Sequence, residues 1–261
     1  MNWMNALAGF GVGAMVGMTG VGGGALMTPI LVLLFGVAPA AAVGTDLWFA
    51  AITKMVGGAV HHSKGSVDWM VLRRLALGSL PVSALTLAWL HYTGASQMKH
   101  GLILNALGGT LLLTALAMIF KRQTHALGQA LRSTAPESFK RAQPGLTVLA
   151  GAILGFLVTL TSVGAGALGA VMLLYLYPFR MKPAVLVGTD IVHAVPLTLV
   201  AGTGHLLMGN VNLPLLGLLL VGSIPGIVLG SLLGGKVPEH WLRGAIAVVL
   251  MAVGWKLLLS S

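Results

Sequence analysis

Charged residues are few in this sequence and cysteine is absent. Of its 261 residues, 8% are charged and 57% are hydrophobic. Because soluble domains carry about 25% charged residues, the composition excludes an ordinary soluble domain. The lack of cysteine excludes disulfide bonds, thiolate metal sites and cysteine nucleophiles.

Acidic residues are also scarce, and the formal net charge is +10. The basic residues lie in short stretches between apolar runs, where they orient a membrane protein rather than bind nucleic acid. Several apolar runs reach the length of about 20 residues that crosses a bilayer. We expect no cleaved signal peptide, because the first apolar run belongs to the repeat described next.

The chain contains an internal repeat. Gly44–Asp46 recurs as Gly188–Asp190, and the glycine-rich stretch Thr19–Ala25 matches Thr161–Ala167. A duplicated apolar chain with glycine-broken segments at matching positions is typical of secondary transporters.

Four apolar segments fall in each half, which predicts an all-α polytopic membrane protein made of two homologous repeats. The segments lie at about 5–37, 38–60, 70–91, 101–120, 145–178, 184–208, 212–235 and 240–259. We divide the chain into a first transmembrane repeat (1–122), a basic, solvated cytoplasmic linker (123–144) and a second transmembrane repeat (145–261).

The first segment of each half is too long for one crossing and carries glycines near its middle, so it is either a broken helix or a re-entrant hairpin. If both are hairpins, every basic loop residue except Lys99 and Lys256 falls on the linker side. The positive-inside rule therefore favours hairpins. Each half then crosses three times, the halves become inverted repeats, and both termini face the periplasm.

The glycine loops are candidates for the substrate site. A broken helix exposes backbone N–H groups and the positive end of its dipole, which together bind anions. The alternative is close helix packing, for which membrane proteins use small residues. The candidate residues are Thr19, Gly20, Gly22, Gly23 and Gly24 in the first loop, and Ser162, Gly164 and Gly166 in the second.

Asp46 and Asp190 lie within apolar helices, where a charge is costly and normally has a partner or a function. Either could relay protons, or, with the adjacent Thr45 and Thr189, cap a helix or accept N–H bonds from the glycine loops. We include both threonines among the candidate substrate-binding residues.

Lys54 and His193 each occur in one half only, which makes them candidates for binding the substrate charge and for proton coupling. Asp46 and Lys54 are about 12 Å apart along one helix, too far for a direct ion pair. Each of these side chains could instead have a purely structural hydrogen bond. His61 and His205, near helix ends, are interpreted as interfacial anchors, and we expect no metal site and no cofactor.

These residues resemble the sulfite exporter TauE/SafE family over nearly the whole chain. The resemblance rests on Gly17–Gly24 and Gly44–Asp46, and on Gly164–Gly166 and Gly188–Asp190 in the second half. It implies a permease of the bacterial inner membrane that moves sulfite, organosulfonates or similar anions. Ser162 and Ala165 replace two glycines of the first loop, so equal roles for the two loops are not expected.

We therefore predict a secondary transporter rather than an enzyme. It would move a small sulfur-containing anion by alternating access, with proton coupling suggested by the two carboxylates. Its expected partners are the anion, protons and the lipid bilayer, but not nucleic acid, and homo-oligomerisation is left open. The alternatives are an anion channel and, less favoured, an intramembrane enzyme.

Overall fold

The computed structural model describes residues 3–19, 24–63, 65–94, 100–233 and 239–259, which contain helices and no strand. In chain order these helices are α1 (Trp3–Thr19), α2 (Gly24–Leu33), α3 (Pro39–Ser63), α4 (Trp69–Thr93), α5 (His100–Ile119), α6 (Lys121–Thr134), α7 (Pro136–Thr161), α8 (Ala167–Leu176), α9 (Pro183–Leu207), α10 (Leu213–Leu233) and α11 (Glu239–Leu259).

Several of these helices have the length and composition of membrane spans. Five qualify within the described residues: Trp69–Thr93, Gly101–Ile119, Pro136–Thr161, Pro183–Leu207 and Leu213–Gly230. Their outward faces carry large apolar side chains such as Leu77 and Val221, each 68% exposed. Such surfaces suit contact with lipid, and the prediction of an all-α polytopic membrane protein is confirmed.

The first segment of the second half folds back on itself. Gln143 Nε2 donates to Leu176 O at 2.5 Å, and the hydroxyls of Thr147 and Tyr177 are 2.8 Å apart. The end of α8 therefore lies beside the first part of α7. With ten residues, α8 is about 15 Å long, which is too short to cross a bilayer. The chain therefore reverses its direction at the glycine break between α7 and α8.

The turn of this hairpin depends on unusual backbone angles. Gly164 has φ +121° and Gly166 has φ +135°, conformations that L side chains rarely adopt. Ser162 ends α7 in the left-handed region at φ 60°, where its N–H bonds Val158 O at 2.7 Å. The glycines of the motif therefore permit the sharp turn between α7 and α8.

The first half follows a similar course. Its short helix α2 also has ten residues. The chain beyond α2 returns to the start of α1, because Asn5, Phe35 and Val37 line one cavity of about 290 Å³ together with Asn212. Residues 20–23, between α1 and α2, lie outside the described part of the chain.

Helices from different halves pair closely. The most extensive contacts join α1 with α10, α4 with α7, α3 with α9, and α5 with α11. In the first two pairs, glycines lie against the backbone of the partner helix, where a side chain would clash: Gly9 against Leu219, Gly13 against Ser223, Gly151 against Leu75 and Gly155 against Ser79. Small residues thus let these helices approach closely.

The segment predicted as a basic linker is largely helical. Residues 121–134 form α6, and α7 begins at Pro136 rather than near residue 145. Gly128 packs against the backbone of Tyr175, and His125 Nε2 lies 3.0 Å from Pro178 O. Because α6 is amphipathic, one face packs on the second half while most of its side chains stay exposed.

The helix bundle has two distinct ends. The linker end comprises α6, the start of α7 and residues 175–182. There Arg180 forms a bidentate ion pair with Asp68, just before α4, and Arg74 Nη1 donates to Tyr177 OH at 3.2 Å. The opposite end comprises the start of α1 and residues 35–37 and 209–214.

Candidate functional site

A group of polar side chains is enclosed where the two halves meet. We call it the buried polar cluster, and its members are at most 5% exposed: Thr28 on α2, Asp46 and Lys54 on α3, Ser162 between α7 and α8, and Asp190 on α9. The sequence predicted all of these residues except Thr28. The cluster lies at the break between α7 and α8, as expected for a site formed by discontinuous helices.

Asp46 has one satisfied and one unsatisfied carboxylate oxygen. Thr28 Oγ1 donates to Asp46 Oδ2 at 2.5 Å, whereas Asp46 Oδ1 is buried without a hydrogen-bond partner. Ser162 Oγ has no partner at ordinary hydrogen-bond distance, and it is the hydroxyl that acts on this carboxylate from the turn between α7 and α8. Because buried polar atoms are normally hydrogen-bonded, a small shift would join the serine hydroxyl to Asp46 Oδ1.

Lys54 connects the two halves. Its Nζ donates to Ala165 O at 3.0 Å, in the turn between α7 and α8, and it interacts electrostatically with both Asp46 and Asp190. The distance along α3 rules out a close pair with Asp46, as the sequence predicted. Instead, the lysine reaches across to the turn of the other half.

The side chain of Asp190, on α9, lies against the N-terminal end of α8. The backbone N–H of Gly166 is beside its carboxylate, and a Cβ on Gly169 would collide with Asp190 Oδ1. Exposed N–H groups and the helix dipole favour a negative charge at this position. The site that the sequence suggested for a substrate anion is thus occupied by a carboxylate of the protein itself.

Thr45 and Thr189, both candidate substrate-binding residues, have their hydroxyls engaged with loops. Thr45 Oγ1 accepts from the backbone N–H of Asn212 at 3.0 Å, and Thr189 Oγ1 accepts from that of Asp68 at 2.9 Å. In both cases the threonine of one half supports a loop of the other half. These contacts fit the alternative interpretation, in which the Gly-Thr-Asp motif is structural.

The structure describes the whole second glycine loop, but only the two ends of the first. Ser162, Gly164 and Gly166 form the turn that borders the cluster. In the first loop, Thr19 ends α1 and Gly24 begins α2. The candidates Gly20, Gly22 and Gly23 lie outside the described residues, so their assignment stays a prediction.

The two histidines of α9 are buried. His193 Nε2 is 2.9 Å from Ser79 Oγ, next to the cluster, and its Nδ1 has no partner. The prediction that His205 is an interfacial anchor is wrong: it is 1% exposed, and its Nε2 lies 2.9 Å from Thr159 O. The reason is tertiary, because α3 packs over it with a glycine, Gly44. The side chain of His61 is outside the described part.

Lys54, Asp46 and Asp190 are ionisable side chains buried among long apolar helices, beside a helix broken at glycines. Together with the five candidate spans, this arrangement defines a multi-pass membrane transporter.

The chain belongs to the sulfite exporter TauE/SafE family, whose model matches residues 5–257. It is 41% identical over 211 residues to the probable membrane transporter protein YjnA of Bacillus subtilis, covering 79% of this chain and 80% of that protein. It is 26% identical over 212 residues to the probable membrane transporter protein MJ0441 of Methanocaldococcus jannaschii, covering 78% and 72%. No solved structure matches the chain. The family resemblance drawn from the motifs is confirmed.

Proposed function

We propose that this protein is a secondary transporter that carries a small sulfur-containing anion, such as sulfite or an organosulfonate, together with a proton across the bacterial inner membrane. The observation that carries this proposal is the shared location of Lys54 and Asp190 at the N-terminal end of α8. One cation and the backbone N–H of Gly166 act on this position, and a titratable carboxylate occupies it.

Charge balance links the anion to a proton. With Asp46 and Asp190 both ionised, the cluster already holds more negative than positive charge, and a buried excess charge is strongly unfavourable. Protonation of Asp190 would release Gly166 N–H and Lys54 for an incoming oxyanion. One proton then binds with one anion, and both leave on the other side.

The glycine turn completes this binding site in the proposal. Ser162 Oγ is buried beside the carboxylate of Asp46, and in the proposal its hydroxyl turns from that carboxylate to a substrate oxygen when the anion binds. Charge-assisted hydrogen bonds of this kind are the strong ones, and they suit a tetrahedral or pyramidal oxyanion.

The pairing of helices supports alternating access between inverted repeats. The contact of Gly9 with Leu219 has its counterpart in that of Gly151 with Leu75 at the aligned positions of the other half. The two threonine–loop bonds of the Gly-Thr-Asp motifs correspond in the same way. Such a two-fold arrangement suits a rocking motion of one half against the other around the cluster.

The charge distribution supports a cytoplasmic location of the linker end. Among the described residues, this end carries Arg74, Arg122, Arg132, Lys140, Arg141, Arg180 and Lys182, and the linker itself is basic. Positively charged loops of this kind are retained in the cytoplasm. We therefore propose that the opposite end faces the periplasm.

Transport measurements in proteoliposomes test the proposal. Sulfite, taurine and sulfoacetate are offered as labelled substrates, with chloride as a competitor, and uptake is followed with and without an imposed pH gradient. Lys54→Met keeps the length of the side chain and removes its charge. Because a hydrogen bond to a charged group is worth about 1.5–3 kcal/mol, we expect KM to rise about 10- to 100-fold.

Two further variants complete this experiment. Lys256→Met, at an exposed position near the end of α11, is the matched control and should transport as the wild type does. Asp190→Asn imitates the protonated carboxyl, so it should still exchange the anion but no longer move a proton with it. A Lys54→Met protein with the wild-type KM would contradict the proposed anion site.

A further inference from the structure

The two halves are tied together at the linker end by an ion pair and by hydrogen bonds. Arg180, in the loop after α8, binds both carboxylate oxygens of Asp68, which precedes α4. Arg74 Nη1 on α4 donates to Tyr177 OH at 3.2 Å, and this hydroxyl lies 2.8 Å from Thr147 Oγ1 on α7. We call these five side chains and their contacts the linker-end latch.

Asp68 is also held by contacts other than the ion pair. Its side chain is 8% exposed, whereas that of Arg180 is 49% exposed. Asp68 Oδ1 accepts from Val71 N at 3.3 Å, and Asp68 N donates to Thr189 Oγ1 at 2.9 Å. The next residue after Thr189 is Asp190 of the buried polar cluster. The ion pair therefore joins the loop between α8 and α9 to a carboxylate whose backbone contacts α9 next to the cluster.

An apolar core lies along α8 between the latch and the cluster. Val71 and Leu75 of α4, at most 1% exposed, belong to this core together with side chains of α8. Among these, Leu168 is near the end of α8 that borders the cluster, and Leu176 is at the linker end. The core therefore separates the cluster from the solution at the linker end.

The corresponding residues of the other repeat line a cavity at the opposite end of the molecule. The register of the glycine loops and that of the Gly-Thr-Asp motifs give four latch residues these counterparts: Asn5 for Thr147, Phe35 for Tyr177, Asn212 for Asp68 and Leu218 for Arg74. All four counterparts line the cavity of about 290 Å³. Equivalent positions are thus bonded together at one end and border an open space at the other.

The side chains at the opposite end lack the chemistry of the latch. Phe35 has no hydroxyl, Leu218 has no guanidinium, and Asn212 has no charge. Asn212 is exposed, whereas the side chain of Asp68 is almost buried. Asn5 Oδ1 has no hydrogen-bond partner within the described chain. The bonds that close the linker end therefore cannot form between the corresponding side chains at the opposite end.

We propose that the linker-end latch is the gate of this transporter at the linker end, and that the present conformation is closed there and open at the opposite end. This inference rests on the alternating access proposed above. Separation of Arg180 from Asp68 releases the loop between α8 and α9, and the linker end opens while the cavity at the opposite end closes. In inverted repeats, such an exchange of conformations between the halves moves the access from one side to the other.

The latch biases the equilibrium between the two conformations because it forms in only one of them. A bidentate pair of arginine and carboxylate is strong for an ion pair. Solvent at the half-exposed Arg180 weakens it, since exposed ion pairs contribute little. The balance suits a contact that favours the resting conformation and still breaks in every transport cycle.

Two single cysteines measure the access to the two ends. Val71→Cys and Leu215→Cys occupy corresponding positions of the two repeats, and the chain has no other cysteine. Val71 is fully buried beside the latch, whereas Leu215 lines the cavity at the opposite end. The labelling rate of the purified protein by a water-soluble maleimide follows the fraction of molecules that are open at each position. We expect Leu215→Cys to react faster than Val71→Cys.

Asp68→Asn and Arg180→Gln, each combined with either cysteine, break the ion pair. Asparagine at position 68 keeps an oxygen that caps α4, as Asn212 does before α10. Because the pair is partly exposed, we expect labelling at position 71 to become about 5- to 10-fold faster. Labelling at position 215 should become slower, by up to about twofold, because the same shift depopulates the other conformation.

Lys182→Gln is the matched control. Lys182 is exposed in the same loop as Arg180, so its substitution removes the same charge and leaves the ion pair intact. Both cysteines should then react as they do in the protein with the natural loop. Arg180→Lys keeps the charge without the bidentate contact, so its labelling rates should lie between those of the natural loop and of Arg180→Gln.

The outcomes separate the latch from the proposed transport activity. Opposite changes at the two cysteines would support the latch, and a failure to transport any sulfur-containing anion would then contradict only the proposed substrate. Unchanged labelling of both cysteines in both latch variants would overturn the latch alone. Faster labelling of both cysteines would indicate a general loosening of the fold and would also overturn the latch. Faster reaction of Val71→Cys than of Leu215→Cys with the latch intact would contradict the conformation assigned here.

Discussion

At the scale of single residues, the central feature is that the carboxylate of Asp190 lies where the proposed mechanism places the substrate anion. Its carboxylate lies at the N-terminal end of α8, beside Gly166 N–H and within the field of Lys54. In a low-dielectric interior these interactions are much stronger than in water. A carboxyl group that alternates between occupying and vacating this place would couple protonation to substrate binding.

Gly169 lets the carboxylate of Asp190 lie against α8, which gives the first residue-scale prediction. In Gly169→Ala the new Cβ would collide with Asp190 Oδ1, so the carboxylate must move. Misplacement by about 1 Å can cost on the order of 100-fold in rate. We expect the maximal rate of substrate uptake in proteoliposomes to fall by about that factor, while the folded protein remains monodisperse in detergent.

Gly217→Ala is the control for this substitution. Gly217 is also helical, but nothing lies within 4 Å of the Cβ it would gain. Its uptake rate should match that of the wild type. Wild-type uptake by Gly169→Ala would mean that the position of Asp190 does not matter for transport.

The residues of the cluster were predictable to different degrees. Asp46, Lys54 and Asp190 stand out in the sequence because charges within apolar helices are rare. Thr28 does not, because a threonine in such a helix usually bonds its own backbone, as Thr110 does. Only the packing of α2 against α3 brings its hydroxyl to Asp46. The hydrogen-bond acceptor of Lys54, Ala165 O, was equally out of reach, since it lies 111 residues away along the chain.

At the scale of elements, the two Gly-Thr-Asp motifs support the loops of the opposite half. Asp68 caps α4 by accepting from Val71 N, and Asn212 accepts from Leu215 N before α10. Thr189 and Thr45 each bond the backbone N–H of one of these caps. The start of one helix is thus held by the interior of another, which couples the halves mechanically.

Thr189→Val tests this coupling. The substitution removes the acceptor of Asp68 N–H and keeps the volume of the side chain nearly constant. A buried donor left without a partner costs about 1–3 kcal/mol, which corresponds to a decrease in Tm of at least about 2–4 °C for a chain of this size. Thermal unfolding in detergent measures the change.

Thr198→Val is the matched control. Thr198 lies on the same helix and is equally buried, but its hydroxyl donates to Ala194 O within α9. We expect its Tm to stay within about 1 °C of the wild-type value, because that acceptor keeps its helical bond. Equal shifts in both variants would argue against a special role of the loop contact.

The break in the first segment of each half was predictable from the sequence. Segments of more than 30 residues with central glycines indicated it, and the loop charges favoured a return to the same side. The helical structure of Lys121–Thr134 was not predicted, because the segment is polar overall and has a single apolar face. That face packs on the end of α8, a contact that no local pattern specifies.

At the scale of the whole molecule, the two halves are interleaved rather than side by side. α1 packs on α10 and α4 on α7, so each half contributes a helix to the other. The buried polar cluster draws on both halves. Any rearrangement of the halves must therefore alter the surroundings of the cluster.

Single cysteines test the proposed orientation, since the natural chain has none. Ser133→Cys lies at an exposed position near the end of α6, at the linker end. Tyr92→Cys lies near the end of α4, where the tyrosine is 87% exposed, at the opposite end. We expect an impermeant thiol reagent applied to intact cells to label position 92 and not position 133.

Cell disruption should make both cysteines reactive, which controls for simple inaccessibility. The reverse pattern in intact cells would contradict a cytoplasmic linker end. Labelling of both positions in intact cells would contradict the separation of the two ends across the membrane.

The sequence by itself determined the membrane class, the duplication, the glycine breaks and the rare buried charges, because composition and spacing are local properties of the chain. Only the tertiary structure decided which charges meet. It brought Lys54 to Ala165 O, Thr28 to Asp46, and the two histidines of α9 to the hydroxyl-bearing faces of α4 and α7. The physical reason is that helix packing in a membrane is set by close contacts between small residues, and these contacts join segments far apart in sequence.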